Sequence, residues 1–184
     1  MAIEKYTTEG LILESYDQGE HDRAFKVFTK DYGLIICHAR SVRKLESKLR
    51  AHLLPRTFSV LTLVKGREVW RLTGAEKKNQ TSPYIEEVVE LLKRFVRGES
   101  THKALYRRMS ELSALPKEYD QDKVRLLIYY VLLVELGYAD GSVIGAKDIK
   151  EYAKYSVLDL YTHLLLHYKT VREHTLLVLK EVQL

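Results

Sequence analysis

TEGLILESYDQGEHDRAFKVFTKDYGLIICHAR, residues 8–40, decides the fold. Three runs of β-branched, aromatic and apolar residues, at 8–15, 23–29 and 34–40, are separated by Asp17-Gln18-Gly19 and Lys30-Asp31-Tyr32-Gly33. Short runs bounded by Gly and Asp read as antiparallel strands joined by tight turns. Two more strands follow at 57–64 and 68–73, on either side of the turn Lys65-Gly66-Arg67. Five strands in about 75 residues suit a small closed barrel of OB type, a pattern that an SH3-like barrel shares.

Between the third and fourth strands lies ARSVRKLESKLRAHLLP, residues 39–55, where Arg40, Arg43, Lys44, Lys48 and Arg50 surround a single acid, Glu46. The charge is local. Residues 34–80 hold 11 Lys and Arg against 3 Asp and Glu, residues 1–33 hold 4 against 7, and residues 81–184 balance at 15 each. The whole formal excess of +5 therefore sits in the N-terminal segment. A cationic face confined in this way points to a polyanion rather than to general solubility, although a solvated basic loop has the same composition. The five cations are the candidate phosphate partners. Tyr16, Phe28, Tyr32, Phe58 and Trp70 are the aromatics on which bases could stack, and Phe28 and Phe58, at alternating strand positions, read better as core.

Beyond Lys78 the apolar period changes from 2 to 3.6. Ser82 as N-cap, Pro83 at the first helical position, Glu86 and Glu87 in the first turn and Gly98 after the end outline one helix. A second spans about 101–115. Asp120 caps a third that ends at Gly137 and is apolar around nearly its whole circumference, as a buried hub helix is. A last long helix starts near Ser156, with Asp159 as capping-box partner, and runs to about 182. The chain thus reads as an α+β protein of two domains, a barrel over 1–80 and a helical bundle over 81–184.

Several chemistries are excluded by pattern. There is no G-x-S-x-G elbow, no P-loop and no G-x-G-x-x-G. His163 and His167 in HLLLH, with His174 further along, lack the Glu of a hydrolytic H-E-x-x-H helix and read as partly buried or interfacial histidines. An enzyme built on that pair is the weakest of the readings. The lone Cys37, in LIIC, can neither form an internal disulfide nor hold zinc, and reads as a small core residue in a reducing compartment. The start, MAIEKYTTEG, has no apolar signal core, and the longest apolar run, LLIYYVLLV at 126–134, is too short to cross a bilayer, so a soluble intracellular protein without membrane partners is expected. No catalytic, cofactor or metal site is expected.

The order and spacing of Glu9-Gly10, Gly19-Glu20, Asp22-Arg23, Phe28-Thr29, Gly33, Ala39-Arg40, Arg43-Lys44, Ser47-Lys48-Leu49, Leu53-x-Pro55, Lys65-Gly66-Arg67 and Ala75-Glu76 resemble the RecO recombination mediator family. Leu132-Leu133-x-x-Leu136-Gly137-Tyr138 looks like that family's hub helix and its exit. The resemblance implies an N-terminal OB fold and a C-terminal helical domain in a cytoplasmic, nucleoid-associated protein of DNA repair and recombination. It implies binding of single- and double-stranded DNA, annealing of complementary strands, and, with RecR, help to a RecA-type recombinase in displacing single-strand-binding protein. Carried over by position, DNA binding falls on Arg40, Arg43, Lys44, Lys48 and Arg50; the resemblance assigns no tail-binding residues, and Lys123 and Arg125, at the start of the hub helix, are the candidates taken for the acidic tail of single-strand-binding protein. Two departures stand out. Many members carry a four-cysteine zinc site in the helical half, and residues 81–184 contain no cysteine; and Ser41 follows Arg40 where Gly is common. The chain also looks shorter than many relatives, which implies reduced or rearranged partner surfaces in the helical half. The alternative is a docking scaffold of the same fold, binding single-strand-binding protein or RecR with little DNA affinity of its own.

Overall fold

The computed structural model describes residues 4–67, 69–78, 80 and 83–182. Five strands, β1 (Lys5–Gln18), β2 (Asp22–Thr29), β3 (Gly33–Ala39), β4 (Thr57–Lys65) and β5 (Trp70–Lys77), pair in the cyclic order β1-β2-β3-β5-β4, with β4 returning to β1. This is a closed barrel of OB topology. All pairings are antiparallel except the short seam between β3 and β5, where Cys37 faces Trp70 and His38 faces Arg71. β1 bends through a register shift between Ile12 and Glu14, which lets one long strand pair with both β2 and β4. Alternation sends Ile12, Phe25, Val27, Ile35, Cys37, Leu61, Leu63, Trp70 and Leu72 inward. Turn chemistry is as expected: Gly19 and Gly33 adopt φ of +61° and +65°, the left-handed conformation that glycine takes without steric cost.

The strands run beyond the expected limits. β1 begins three residues before 8 and ends three after 15, because it serves two partners, and β5 continues to Lys77 through its antiparallel pairing with β4. Glu68, expected to open the fifth strand, and Ser82, expected to cap the first helix, lie outside the described residues.

The helices are α1 (Ile85–Phe95), α2 (Lys103–Ser113), α3 (Gln121–Glu135), α4 (Ile149–Lys154), α5 (Val157–Leu166) and α6 (Tyr168–Glu181). Pro83, expected at the first helical position, precedes α1 by two residues. The Asp120 carboxylate caps α3 by accepting from the N–H groups of Asp122 and Lys123 at 3.1 and 3.2 Å. Eight α3 residues are buried, among them Leu127, Ile128 and Tyr130 to Val134, and the helix packs on α5 and α6 as a hub. Ser156 and Asp159 form a full capping box on α5.

The single long C-terminal helix is a correction. The chain breaks at His167, where ψ is +22°, into α5 and α6. One straight helix over 157–181 would be roughly 37 Å long. The break lets Leu160 and Leu164 of α5 and Val171 and Val178 of α6 all be buried while both helices pack on α3. The His167 ring lies against Gly145, where a Cβ would stand 2.5 Å from Nε2. The short α4 and the 3-10 turn Gly141–Ile144 were not anticipated.

Two compact units emerge: Met1–Thr81 with Leu92–Tyr106, and Ser82–Leu91 with Arg107–Leu184. The change of period near residue 80 marks where strands give way to helices, whereas residues 92–106 pack with the barrel. There, the Leu34 N–H donates to Gly98 O at 2.9 Å, Thr101 Oγ1 donates to Asp31 O at 3.1 Å, and the Tyr106 ring meets Phe28 and Phe58. Among the described residues, no helix is long and apolar enough to cross a membrane.

Candidate nucleic-acid interface

The segment that follows β3 is shaped by where its apolar residues go. Val42 and Leu53, 3% and 2% exposed, join the barrel core, and Leu49 packs partly against it. With those residues drawn inward, the intervening cations are left outside. A run of tight turns joins the anchors: Lys44 N–H to Ser41 O, Ser47 N–H to Lys44 O and Arg50 N–H to Ser47 O, then the 3-10 turn Arg50–His52. The segment is tied to the β1–β2 turn by the Arg43 N–H, which donates to His21 O at 3.0 Å, and by the Ser41 N–H, which donates to Asp22 Oδ1 at 2.7 Å.

Ser41 has φ of +52°. The position where the family resemblance implies Gly is therefore one that adopts the left-handed conformation, and Ser41 holds it with its backbone N–H bonded to Asp22. Ser41→Gly removes the steric cost and keeps the backbone donor. It is expected to stabilise the barrel by about 0.5–1 kcal/mol, net of glycine's greater unfolded-state freedom, read as a rise in the urea midpoint at unchanged slope.

The five sequence-predicted cations are all exposed, but they do not form one cluster. Arg43 and Arg50 line a depression of 370 Å³ at the barrel end. Arg40 lines a second, of 560 Å³, which shares no lining residue with the first. Lys44 and Lys48 line neither. Among the described residues Arg40, Lys44, Lys48 and Arg50 make no side-chain ion pair, whereas Arg43 donates through Nη1 to Gly19 O at 2.8 Å and stands 3.4 Å from Asp17 Oδ2 through Nη2.

Two further arginines complete the face. Arg23 lines the smaller depression and is held to Asp17 Oδ1 by Nε at 2.8 Å and Nη2 at 2.7 Å. Arg71 lines the larger one with Arg40, His38 and Asp22, brought there by the β3–β5 pairing of His38 with Arg71. Sequence reasoning missed both because it followed the charge run. The signals were present: Arg23 belongs to the Asp22-Arg23 pair of the family pattern, and Arg71 follows an inward-facing Trp70, so alternation turns it outward.

The aromatics are mostly structural. Phe28, Phe58 and Trp70 are buried, and Trp70 also donates from Nε1 to Glu99 Oε1 at 3.1 Å and packs against Tyr6 and Tyr32. Trp70 is thereby removed from the stacking surface. Tyr32 is half-buried in the same cluster, and the exposed Tyr16 donates to Glu14, whose carboxyl is held below the usual carboxylate range first by Lys93 and then by Tyr16. Cys37 lies fully inside the barrel, where burial pushes its thiol up to about 12.

In the helical unit Lys123 pairs with Asp120 at 2.6 Å, and Arg125 with Glu87 at 2.8 Å and Asp122 at 3.8 Å, so both proposed tail-binding cations are already engaged. His163 stacks flat on Tyr155 at 4.4 Å, and His167 lies against Gly145. Among the described residues, no group of three or more His, Cys, Asp or Glu side chains is placed to hold a metal.

The fold and this face define an OB-type domain whose β3–β4 connection, with Arg23 and Arg71, builds an arginine-rich surface. Residues 1–80 match the family model described as recombination protein O N terminal. Similar proteins include the DNA repair protein RecO of Dehalococcoides mccartyi strain CBDB1, 37% identical over 71 residues that make up 39% of this chain and 28% of the relative. The DNA repair protein RecO of Rubrobacter xylanophilus is 34% identical over 71 residues, 39% of this chain and 29% of its own. That of Heliobacterium modesticaldum is 38% identical over 71 residues, 39% and 26% of the two chains. Residues 1–80 are thus similar to the N-terminal domain of recombination protein O, and in these matches the chain spans a little over a quarter of the length of the curated relatives.

Proposed function

We propose that this chain acts in DNA repair and recombination as a non-catalytic DNA-binding mediator, which binds single strands and promotes their annealing. The observation that carries the reading is the arginine-rich face at the barrel end of a RecO-type domain. Annealing requires no bond to be made or broken in either strand. A surface that neutralises phosphates on two strands lowers their mutual repulsion and leaves the base edges free to pair. Arginine suits this role because its planar fork grips phosphate oxygens in pairs. In this reading Arg40, Arg43, Lys44, Lys48 and Arg50 are joined by Arg23 and Arg71 as phosphate partners. RecR and the tail of single-strand-binding protein are the protein partners, a RecA-type recombinase is served indirectly, and the protein works at the nucleoid.

The test is annealing of two complementary fluorescent strands, bare and coated with single-strand-binding protein, without nucleotide. The wild-type chain is expected to accelerate duplex formation. Replacing Arg40, Lys44 and Lys48 by Ala should weaken binding to unrelated sequences by a similar factor and flatten the salt dependence of single-strand binding by about 2 in log–log slope, from roughly 0.7 per phosphate contact. An unchanged slope would sink the assignment of those three residues. Binding to the coat-protein tail without binding to bare DNA would instead favour the docking scaffold.

A further inference from the structure

The smaller depression at the barrel end is more specific than a basic loop requires. Arg23, Arg43 and Arg50 converge on its rim, from β2, from the segment after β3 and from the 3-10 turn. Asp17, just ahead of the β1–β2 turn, bridges two of the three by accepting from Arg23 and standing 3.4 Å from Arg43. Gly19 O fixes the Arg43 guanidinium from the other side. Two forks are therefore held in place before any ligand arrives, which lowers the ordering cost of binding. Arg50 has no ion-pair partner among the described residues.

Charge and shape restrict the occupant. Three guanidinium groups and one carboxylate leave a net +2 at the rim. An internal phosphodiester brings one negative charge, whereas a terminal phosphomonoester brings close to two near neutral pH. Val42 and Leu53, both buried in the barrel core, line the depression together with the three arginines. Its volume of 370 Å³ lies at the small end of ligand sites, about 300–1,000 Å³, and accommodates a phosphate with its sugar. Resting on the DNA-binding reading above, we infer that the Arg23/Arg43/Arg50 depression holds the terminal phosphate of a DNA strand, so that the protein recognises phosphorylated strand ends in addition to the continuous backbone.

The experiment compares short single strands of one sequence carrying a 5′-phosphate, a 5′-hydroxyl, a 3′-phosphate or a methyl-capped 5′-phosphate, bound to the full chain at fixed salt. A phosphorylated end, 5′ or 3′, should bind about tenfold tighter than the hydroxyl end, with the singly charged methyl-capped end intermediate. In Arg50→Gln and in Arg23→Gln the ratio of phosphate-ended to hydroxyl-ended affinity should fall to about one, whatever happens to the absolute affinities. Equal binding of phosphate and hydroxyl ends by the wild-type chain would overturn the inference while leaving the DNA-binding reading intact. So would a ratio that survives in both variants. A deoxynucleoside monophosphate competing as well as the phosphorylated strand would assign the depression to free nucleotides and overturn the strand-end assignment. Failure of the wild-type chain to bind any of the strands would remove the DNA-binding reading itself.

Discussion

Replacing Arg108 by Ala is expected to destabilise the helical unit by about 3–5 kcal/mol and to lower its melting temperature by on the order of 10 °C. Arg108 is 1% exposed and spends its donors on one carboxylate and three backbone carbonyls. Nε donates to Glu135 Oε1 at 3.0 Å, Nη1 to Tyr155 O at 2.6 Å, and Nη2 to Tyr152 O at 3.1 Å and Ala153 O at 3.4 Å. The guanidinium also lies 5.0 Å from the Tyr152 ring. These carbonyls come from the last turn of α4 and the residue that caps it, where helical partners run out; Tyr152 O also accepts from the Tyr155 N–H at 3.1 Å. A cation at that end also complements the helix dipole. Without Arg108 the Ala153 and Tyr155 carbonyls lose its donors, Tyr152 O keeps only the Tyr155 N–H, and Glu135 keeps a half-buried, uncompensated charge.

Far-ultraviolet ellipticity during thermal unfolding reads this loss. Arg108→Lys should recover only part of it, because a point charge cannot serve a carboxylate and a helix end at once. A double replacement, Arg108→Met with Glu135→Leu, should be less damaging than Arg108→Ala alone, since an apolar pair leaves no orphaned charge. A loss below about 1 kcal/mol for Arg108→Ala, the range of exposed ion pairs, would show that the network contributes no more than a surface salt bridge.

The second large effect is expected at Gly33, where Gly33→Ala should cost the barrel unit about 2–5 kcal/mol, from the left-handed conformation together with overpacking. Gly33 has φ of +65°, and a Cβ there would stand 2.3 Å from Ser100 O and 2.7 Å from Glu99 C. Backbone atoms cannot move aside as a side-chain tip does. The displaced stretch, moreover, carries the Gly98 carbonyl that accepts from Leu34, the Glu99 carboxylate that holds Trp70 and Lys65, and Thr101, which bonds Asp31. Gly19 separates the two causes. It has nearly the same φ, +61°, with nothing within 4 Å of its Cβ position. Gly19→Ala should therefore cost only the conformational term, about 1–2 kcal/mol. Trp70, the one tryptophan and buried in the barrel, reports both variants by its emission in urea. Equal losses at the two glycines would remove close packing of residues 99–100 as the reason for Gly33.

Much of this architecture was legible without coordinates because it depends on near neighbours. The turns at Gly19 and Gly33, the Asp120 cap, the Ser156–Asp159 capping box and the buried circumference of α3 are all properties of residues within a few positions of one another. The candidate face was legible only as a charge run. Arg40, Arg43, Lys44, Lys48 and Arg50 were found together, yet the folded chain sorts them by what lies between them: Val42, Leu49 and Leu53 turn inward and separate Arg40 from Arg43 and Arg50.

What the amino-acid order determined by itself was the succession of strands and helices, their caps and turns, and the concentration of positive charge between the third and fourth strands. The tertiary structure alone decided that β4 closes on β1, that β5 runs beside β3 and carries Arg71 to His38, and that Asp17 joins Arg23 to Arg43 at the rim of a depression. It also decided that the last helix breaks at His167 so that both halves reach α3. The physical reason is range. Backbone propensity and capping act over a turn or a strand pair, whereas barrel closure and side-chain convergence are set by which distant surfaces bury one another.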